Sequence, residues 1–201
     1  MIGKPGEISL VDKAIGFAAR AHAKQRRKTG YAMPYIAHPF GVAMILQEMG
    51  CDETVVAAGL LHDVIEDTDV TFDEIKDLFG DAVANIVAFC TEPPKKRDNW
   101  EERKVHMIKS LEDAPIEAKL VAAADKFHNL NHTLANFRDQ GESVWKRFGR
   151  NGATQAWYYR SVYESIIANV PDPNLYPIFE RLGQVIDELF RDISSKPPKF
   201  D

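Results

Sequence analysis

Hydrophobic residues recur at helical spacing along most of the chain, and no stretch alternates apolar and polar residues long enough to predict a strand. The first such segment follows Ser9, a candidate N-cap, and its apolar positions are Val11, Ala14, Ile15, Ala18 and Ala21. A polar break, "KQRRKTGYAMPYIA", separates it from the next apolar run, "PFGVAMILQEMG". This pattern predicts two amphipathic helices joined by a charged connection.

Local signals indicate where the following helices begin and end. Pro39 suits the first turn of the second helix. A third helix is predicted to begin near Asp52 and to run unbroken through "ETVVAAGLLHDVIED". Thr71 and Glu74 form a capping box for "FDEIKDLF", and Gly80 closes that helix. The caps and the apolar spacing agree on the same segments, so a series of short helices is expected.

Further helical patterns continue to the C-terminal end. They are a run from about residue 82 to 90 and the segments "EERKVHMIKSL", "IEAKLVAAADKFHNLNHTL", "TQAWYYRSVYESIIANV" and "LYPIFERLGQVIDELFRDI". The sequence contains no hairpin dipeptide between apolar runs and no internal repeat. We therefore predict an all-α fold in a single domain over residues 1–201, a length that can bury a sizeable core.

Composition and charge narrow the function classes. The chain is 45% hydrophobic and 27% charged, as in ordinary globular proteins, and its net charge of -5 argues against a dedicated nucleic-acid binder. Its two cysteines, Cys51 and Cys90, are scattered, which is typical of a reducing compartment. No apolar run approaches the roughly 18 residues of a membrane span. We expect a cytoplasmic protein without nucleic-acid or membrane partners.

The segment "LLHDVIEDTDV" places four ionisable residues directly after an apolar run: His62, Asp63, Glu66 and Asp67. Positions four apart share a helix face, so His62 is predicted to lie beside Glu66, and Asp63 beside Asp67. Each pair offers a metal ligand on one turn and a carboxylate on the next. For these four residues taken alone, a solvated helix face is the alternative interpretation.

Two other residues in apolar surroundings extend this set. His38 begins the second helix, and Asp125 follows the apolar run "KLVAAA", where a buried carboxylate needs a cation or hydrogen-bond donors. A capping or core histidine and a structural pair of Asp125 with Lys126, His128 or an arginine are the alternatives. Together with His62 and Asp63 they form a mixed nitrogen and oxygen set, which suits Mn²⁺, Fe²⁺ or Zn²⁺ better than Ca²⁺ or Mg²⁺.

These residues carry a family resemblance. The order His, His-Asp, Asp, with "RKTG…PYIAHPFGVAMIL", "AAGLLHDVIEDTDVTFDEIKDLFG" and "KLVAAADKFHNL", resembles the HD superfamily of metal-dependent phosphohydrolases. Within it, the segments look like the RelA/SpoT-type hydrolase domain, and the small alarmone hydrolases (Mesh1-like) match best in length. The resemblance covers about residues 10–135 and leaves the C-terminal helices, about 150–193, outside. It implies an HD-type helical bundle.

The resemblance also implies roles for particular residues. The implied metal ligands are His38, His62, Asp63 and Asp125, with manganese as the usual ion and Fe²⁺ or Zn²⁺ as alternatives. The implied handlers of the attacking water are Glu66 and Asp67. The implied contacts to the nucleotide substrate are Arg27, Lys28 and Asn129, with Lys126 a weaker candidate.

The implied activity is removal of the 3′-pyrophosphate from guanosine 3′,5′-bis(diphosphate). The alternatives are a phosphatase of another nucleotide such as NADPH, and a nucleotide-binding sensor without turnover. Two departures from the family pattern bear on the substrate: the extra residues 31–33 and the loop "CTEPPKKRDNWEERK". The Lys95–Arg97 cluster in that loop is interpreted as solubilising or as steering anions. The Trp157–Tyr159 aromatics are interpreted as core, with stacking on a base as the alternative.

Overall fold

The computed structural model describes residues 6–27, 33–94 and 99–198, and within these ranges its regular secondary structure is helical. An isolated antiparallel bridge joins Arg26 and Pro34. The α-helices of the protein within the described residues are α1 (Leu10–Ala21), α2 (Ala37–Glu48), α3 (Glu53–Leu61), α4 (Val64–Asp67), α5 (Phe72–Phe79), α6 (Asp81–Cys90), α7 (Trp100–Glu112), α8 (Ile116–Gln140), α9 (Gly152–Ile167) and α10 (Pro177–Leu189). Short 3₁₀ helices occupy Gly141–Phe148 and Pro173–Leu175. The predicted all-α fold is confirmed.

The predicted caps form as the sequence indicates. Ser9 Oγ accepts a hydrogen bond from the Asp12 N–H at 3.0 Å and starts α1. At α5, Thr71 Oγ1 accepts from the Glu74 N–H at 3.3 Å, and Glu74 Oε2 accepts from the Thr71 N–H at 2.8 Å. Gly80 follows α5 with a φ of +87°, a conformation that glycine adopts without steric cost. These ends are set by neighbouring residues, which explains why sequence patterns locate them.

The chain divides into two compact units, Met1–Thr91 and Glu92–Asp201, and the expectation of one domain stays a prediction. In the first unit, α3 packs against α1, α2 and α6, and its residues 55–61 are all buried. Gly59 allows the close approach of α2, because a Cβ there would lie only 2.5 Å from Leu46 Cδ1. The first unit is therefore built around an apolar central helix.

The third helix differs from its prediction. It ends at Leu61, and the short α4 begins at Val64, so His62 and Asp63 lie at the junction. Asp63 has a ψ of -6°, whereas a regular helix has about -42°, and this difference opens the turn. The His62 ring also bonds the Gly59 carbonyl oxygen in the last turn of α3. The prediction of one unbroken helix is wrong at these two residues.

In the second unit, α8 packs against α9 and α10, and α7 packs against α9. Helix α8 extends to Gln140, beyond its predicted end, and Gly141 follows it with a φ of +58°. Trp145 stacks on Phe190 with ring centroids 5.7 Å apart, in a core that also buries Tyr158. Among the described residues, none of the helices combines the length and the apolar character that spanning a bilayer requires.

Candidate active site

Two histidines of the first unit are buried almost completely. His38 lies in the first turn of α2, where its N–H donates to the Tyr35 carbonyl oxygen at 2.9 Å, and its exposed fraction is 2%. His62 follows α3 and is also 2% exposed. The contact of Leu46 with Gly59 holds α2 against α3. Helix packing thus brings two imidazole rings, 24 residues apart in sequence, within 5.1 Å between centroids.

Asp63 joins these histidines to form a compact cluster. Its Oδ2 lies 3.1 Å from His62 Nε2 and 3.5 Å from His38 Nε2. One ligand atom from each of the three residues lies within 4.8 Å of the others. Tyr35 donates its hydroxyl to the same Oδ2 at 2.6 Å. The structure therefore brings together three of the four predicted metal ligands.

The hydrogen bond of His62 determines its tautomer. Its Nδ1 lies 2.8 Å from the Gly59 carbonyl oxygen. A carbonyl oxygen only accepts, so Nδ1 carries a proton, and Nε2 is the ring nitrogen that faces Asp63. Metal-binding histidines commonly donate a hydrogen bond from their other ring N–H in this way, which fixes the orientation of the ring and raises the basicity of the ligand nitrogen.

The spacing of these atoms fits a divalent transition metal. Ligands at about 2.1 Å from an ion are about 3.0 Å apart in an octahedral shell and about 3.4 Å apart in a tetrahedral one. Of the two nitrogen–oxygen separations, 3.1 Å lies between these values and 3.5 Å lies just above the tetrahedral one. Two imidazoles and a carboxylate are also the donor types that Mn²⁺, Fe²⁺ and Zn²⁺ accept. The cluster fits the predicted cofactor class.

Asp125, the predicted fourth ligand, lies on α8 in the second unit. It is 7% exposed, and both of its oxygens are engaged there. Asn129 donates its amide to Oδ1 at 2.6 Å, and the Lys126 ammonium group lies 2.7 Å from Oδ2. The buried carboxylate therefore has the partners that its burial requires. Its role as a metal ligand stays a prediction.

Lys126 belongs to a buried network of charges in the second unit. Burial lowers the pKa of Lys126, but the Asp125 and Glu92 carboxylates outweigh this effect and hold it above its usual value. Glu92 Oε2 lies 3.0 Å from Arg103 Nη1, and its other oxygen accepts from Lys104. Burial raises the pKa of Glu92, yet these cations hold it below its usual value. The sequence analysis gave the pair of Asp125 and Lys126 as an alternative interpretation, but it did not indicate that Glu92, Arg103 and Lys104 form an ion-paired cluster.

The other predicted site residues are placed as follows. Glu66 and Asp67 lie on α4, directly after the His-Asp pair, and both are half-buried. Arg27 is half-buried, and its N–H donates to the Met33 carbonyl oxygen at 3.0 Å. Asn129 contacts Asp125 through its side-chain amide. Lys28 and the Lys95–Arg97 cluster lie outside the described residues.

Sequence reasoning missed Tyr35, whose hydroxyl bonds Asp63. The residue belongs to the "PYIAHP" motif, but nothing in the spacing shows that it reaches a carboxylate 28 positions away. The contact of Tyr35 with Asp63 can therefore be recognised only in the folded structure. A comparable case is Gly59, whose missing side chain and carbonyl oxygen both serve the cluster.

Comparison with known families decides the relationship. The family model described as "HD domain" matches residues 14–152, more than half of the chain. The protein belongs to the HD domain family. This membership confirms the predicted HD-type fold, and in a hydrolase of this family the His/Asp cluster implies a divalent metal cofactor.

Relatives within the HD domain family carry related names. The MESH1 protein of Xenopus tropicalis, named guanosine-3′,5′-bis(diphosphate) 3′-pyrophosphohydrolase, is 44% identical over 129 residues, which cover 62% of this chain and 69% of the relative. A Synechocystis protein, named as a probable enzyme of the same kind, is 39% identical over 130 residues, or 60% of this chain. The chain spans only 16% of that longer relative.

A solved structure extends the likeness over nearly the whole chain. A metazoan ortholog of SpoT, described as hydrolysing ppGpp, superposes with a TM-score of 0.70 at 29% sequence identity. The superposition covers 92% of this chain and 96% of that one. The predicted resemblance to Mesh1-like alarmone hydrolases is confirmed.

Proposed function

We propose that this HD domain protein is a metal-dependent hydrolase that removes the 3′-pyrophosphate from guanosine 3′,5′-bis(diphosphate). One observation carries the proposal: the cluster of His38, His62 and Asp63 occurs in a chain that is 44% identical, over 129 residues, to a protein named for this reaction. The small nucleotide is the proposed substrate, and Mn²⁺ is the proposed ion.

The metal site would be formed by His38, His62, Asp63 and Asp125. The first three have atoms at ligand spacing, and Asp125 is a buried carboxylate on α8. When bound, the divalent ion supplies Lewis acidity, which makes water more acidic and the phosphoryl group more electrophilic. The mixed donor set favours Mn²⁺, Fe²⁺ or Zn²⁺, and the family resemblance selects Mn²⁺ among them.

Glu66 and Asp67 are proposed to handle the proton of the attacking water. They lie within five residues of both His62 and Asp63, on a separate short helix that is half-buried. One carboxylate accepts the proton as the water oxygen attacks the phosphorus attached to O3′. The bond from that phosphorus to O3′ then breaks, O3′ takes a proton, and pyrophosphate leaves with its anhydride intact.

The proposed phosphate contacts are Arg27 and Lys28, and Asn129 is proposed to contact sugar or phosphate. A guanidinium offers a planar pair of donors to a phosphate, whereas an ammonium acts as a compact charge. Several phosphates carry more negative charge than one divalent ion neutralises, so cations from the protein are required. The Asn129 amide already donates to Asp125, which ties this residue to the proposed ligand set.

The test is a panel of guanosine tetraphosphate, guanosine pentaphosphate and NADPH, each incubated with purified protein and Mn²⁺ and again with a chelator. We expect metal-dependent release of pyrophosphate from the two guanosine nucleotides. Release of orthophosphate alone, or action on NADPH without action on the alarmones, would contradict the proposed substrate. Binding of nucleotide without turnover would identify a sensor.

We also propose a cytoplasmic location. The sequence has only two cysteines, Cys51 and Cys90, which are scattered along the chain, a pattern typical of a reducing compartment. Fractionation of the host cell with an antibody to the protein tests this location.

A further inference from the structure

The Tyr35 hydroxyl directly contacts the cluster of His38, His62 and Asp63. It donates to Asp63 Oδ2 at 2.6 Å, the length expected for an O–H bond to a carboxylate, about 2.5–2.7 Å. The same oxygen faces His62 Nε2 and His38 Nε2 at 3.1 and 3.5 Å. Tyr35 therefore acts on the carboxylate oxygen that points towards both imidazoles.

The ring of Tyr35 is held on two sides. The His22 ring lies on one side, with centroids 4.8 Å apart and an interplanar angle of 37°. The His38 ring meets Tyr35 edge-on, with centroids 6.0 Å apart at 76°. The Tyr35 N–H donates to the Gln25 carbonyl oxygen at 3.1 Å. These contacts fix both the backbone and the ring, so the hydroxyl has a defined direction.

Gln25 links this support to the next helix. Its Oε1 accepts from His22 Nδ1 at 2.7 Å, and its Nε2 donates to the Asp67 carbonyl oxygen. His22 is 1% exposed and follows α1 directly. A hydrogen-bonded bracket of His22 and Gln25 thus connects the end of α1, the segment that carries Tyr35, and the end of α4.

We propose that Tyr35 is a positioning residue for the metal site, held by the His22–Gln25 bracket. The terminal torsion of an aspartate is broad and roughly two-fold, so an unrestrained carboxylate samples several orientations. The Tyr35 hydroxyl occupies one lone pair of Oδ2 and selects the orientation in which the carboxylate faces both imidazoles. Metal then binds to a carboxylate that is already oriented, which raises the affinity.

The test is metal affinity rather than turnover. Tyr35→Phe removes the hydroxyl and keeps the ring, and its dissociation constant for Mn²⁺ is measured by isothermal titration calorimetry on the full chain. We expect an increase of about 10–100-fold, the usual effect of losing a hydrogen-bond partner of a metal ligand. Tyr163→Phe, which removes a hydroxyl from α9 in the second unit, should leave the affinity unchanged.

A second variant and a spectrum keep the test decisive. Gln25→Ala keeps the Tyr35 hydroxyl but removes the bracket, so its Mn²⁺ affinity should fall by less than that of Tyr35→Phe. With Co²⁺ as the probe, the visible absorption of Tyr35→Phe should differ from that of the wild type, because the carboxylate is oriented differently. A role of the hydroxyl in packing alone would lower the melting temperature without affecting either readout.

Two results would overturn the inference. A folded Tyr35→Phe with the Mn²⁺ affinity of the wild type would show that the hydroxyl does not position Asp63. If Tyr35→Phe does not fold, an unchanged affinity in Gln25→Ala would show that the bracket does not hold Tyr35 for this role, which overturns the inference. The inference rests on the proposed metal site, and wild-type protein that binds no Mn²⁺ would refute that site, whereas failure to hydrolyse the alarmone would leave the affinity test valid.

Discussion

Replacing Glu92 with glutamine should destabilise the second unit strongly. The Glu92 carboxylate is buried, and it is paired with Arg103 and Lys104. The side chains of Glu92, Arg103 and Lys104 are 6%, 10% and 17% exposed. Glu92→Gln preserves the shape of the side chain but removes its charge, so two cations remain in a nearly dry environment.

The expected loss follows from the burial of the pair. Removing one partner of a buried ion pair costs about 3–5 kcal/mol, because the other charge stays desolvated. Glutamine keeps one acceptor oxygen for one of the two cations, which places the expected loss near the lower end, about 3 kcal/mol. Such a loss is a large share of the roughly 5–15 kcal/mol by which folded domains are typically stable.

The assay is urea unfolding of wild type and variant, followed by circular dichroism at neutral pH. The control is Glu188→Gln, which breaks the exposed pair of Glu188 with Arg138. The side chain of Arg138 is 62% exposed and that of Glu188 is 45% exposed. That change should cost at most about 1 kcal/mol. The comparison isolates burial, since both variants remove one carboxylate that is paired with cations.

The pH dependence gives a second check. The cations hold the pKa of Glu92 below its usual value, so its ionised form stabilises the folded state above the pKa of the unfolded chain, about 4.3. The difference in unfolding free energy between wild type and Glu92→Gln should therefore be complete at neutral pH and shrink as the solution is acidified below that value. A loss below about 1 kcal/mol at neutral pH, equal to that of the control, would refute this reasoning.

Three further predictions concern the first unit. Gly59→Ala should lower the free energy of unfolding by about 1–2 kcal/mol, because overpacking against the fully buried Leu46 outweighs the gain of about 1 kcal/mol in helix propensity. In a double-mutant cycle, Leu46→Ala should relieve the strain that Gly59→Ala introduces. Glu66→Gln and Asp67→Asn should each reduce kcat by about 10²–10⁴-fold at unchanged Mn²⁺ content, and loss of metal would instead make them ligands or supports. Arg27→Ala should raise KM for guanosine tetraphosphate more at low salt than at high salt, and equal effects would exclude a charge contact.

Local signals in the sequence determined the helices and their ends. Ser9 and the pair of Thr71 and Glu74 act through neighbours within three residues, so their hydrogen bonds follow from the sequence alone. Apolar spacing identifies the same helices because burial of one face follows the helical period. Spacing underestimates the length of α8, since the last turns of this helix carry polar residues that the apolar pattern does not assign to it.

The candidate site was predictable in its residue types and less so in its geometry. The motif "LLHDVIEDTDV" and the residues His38 and Asp125 indicate a mixed donor set through their side-chain chemistry alone. The local pattern also predicts one continuous helix, and it misses the opening at Asp63, because that opening depends on a backbone torsion and on the bond from His62 to Gly59. Residue identity limits the chemistry of a site, whereas backbone detail determines where its atoms lie.

Contacts between residues distant in sequence were decided only by the tertiary structure. The spacing of His38, His62 and Asp63 depends on α2 packing against α3 at Gly59, and the Tyr35 hydroxyl reaches Asp63 because the segment before α2 folds back onto the end of α3. Lys126, a weak substrate candidate in the sequence, is half-buried and paired with Asp125. Sequence patterns describe which face of a helix is apolar, but the partner of a buried polar group is chosen by packing and by the requirement that its charge be satisfied.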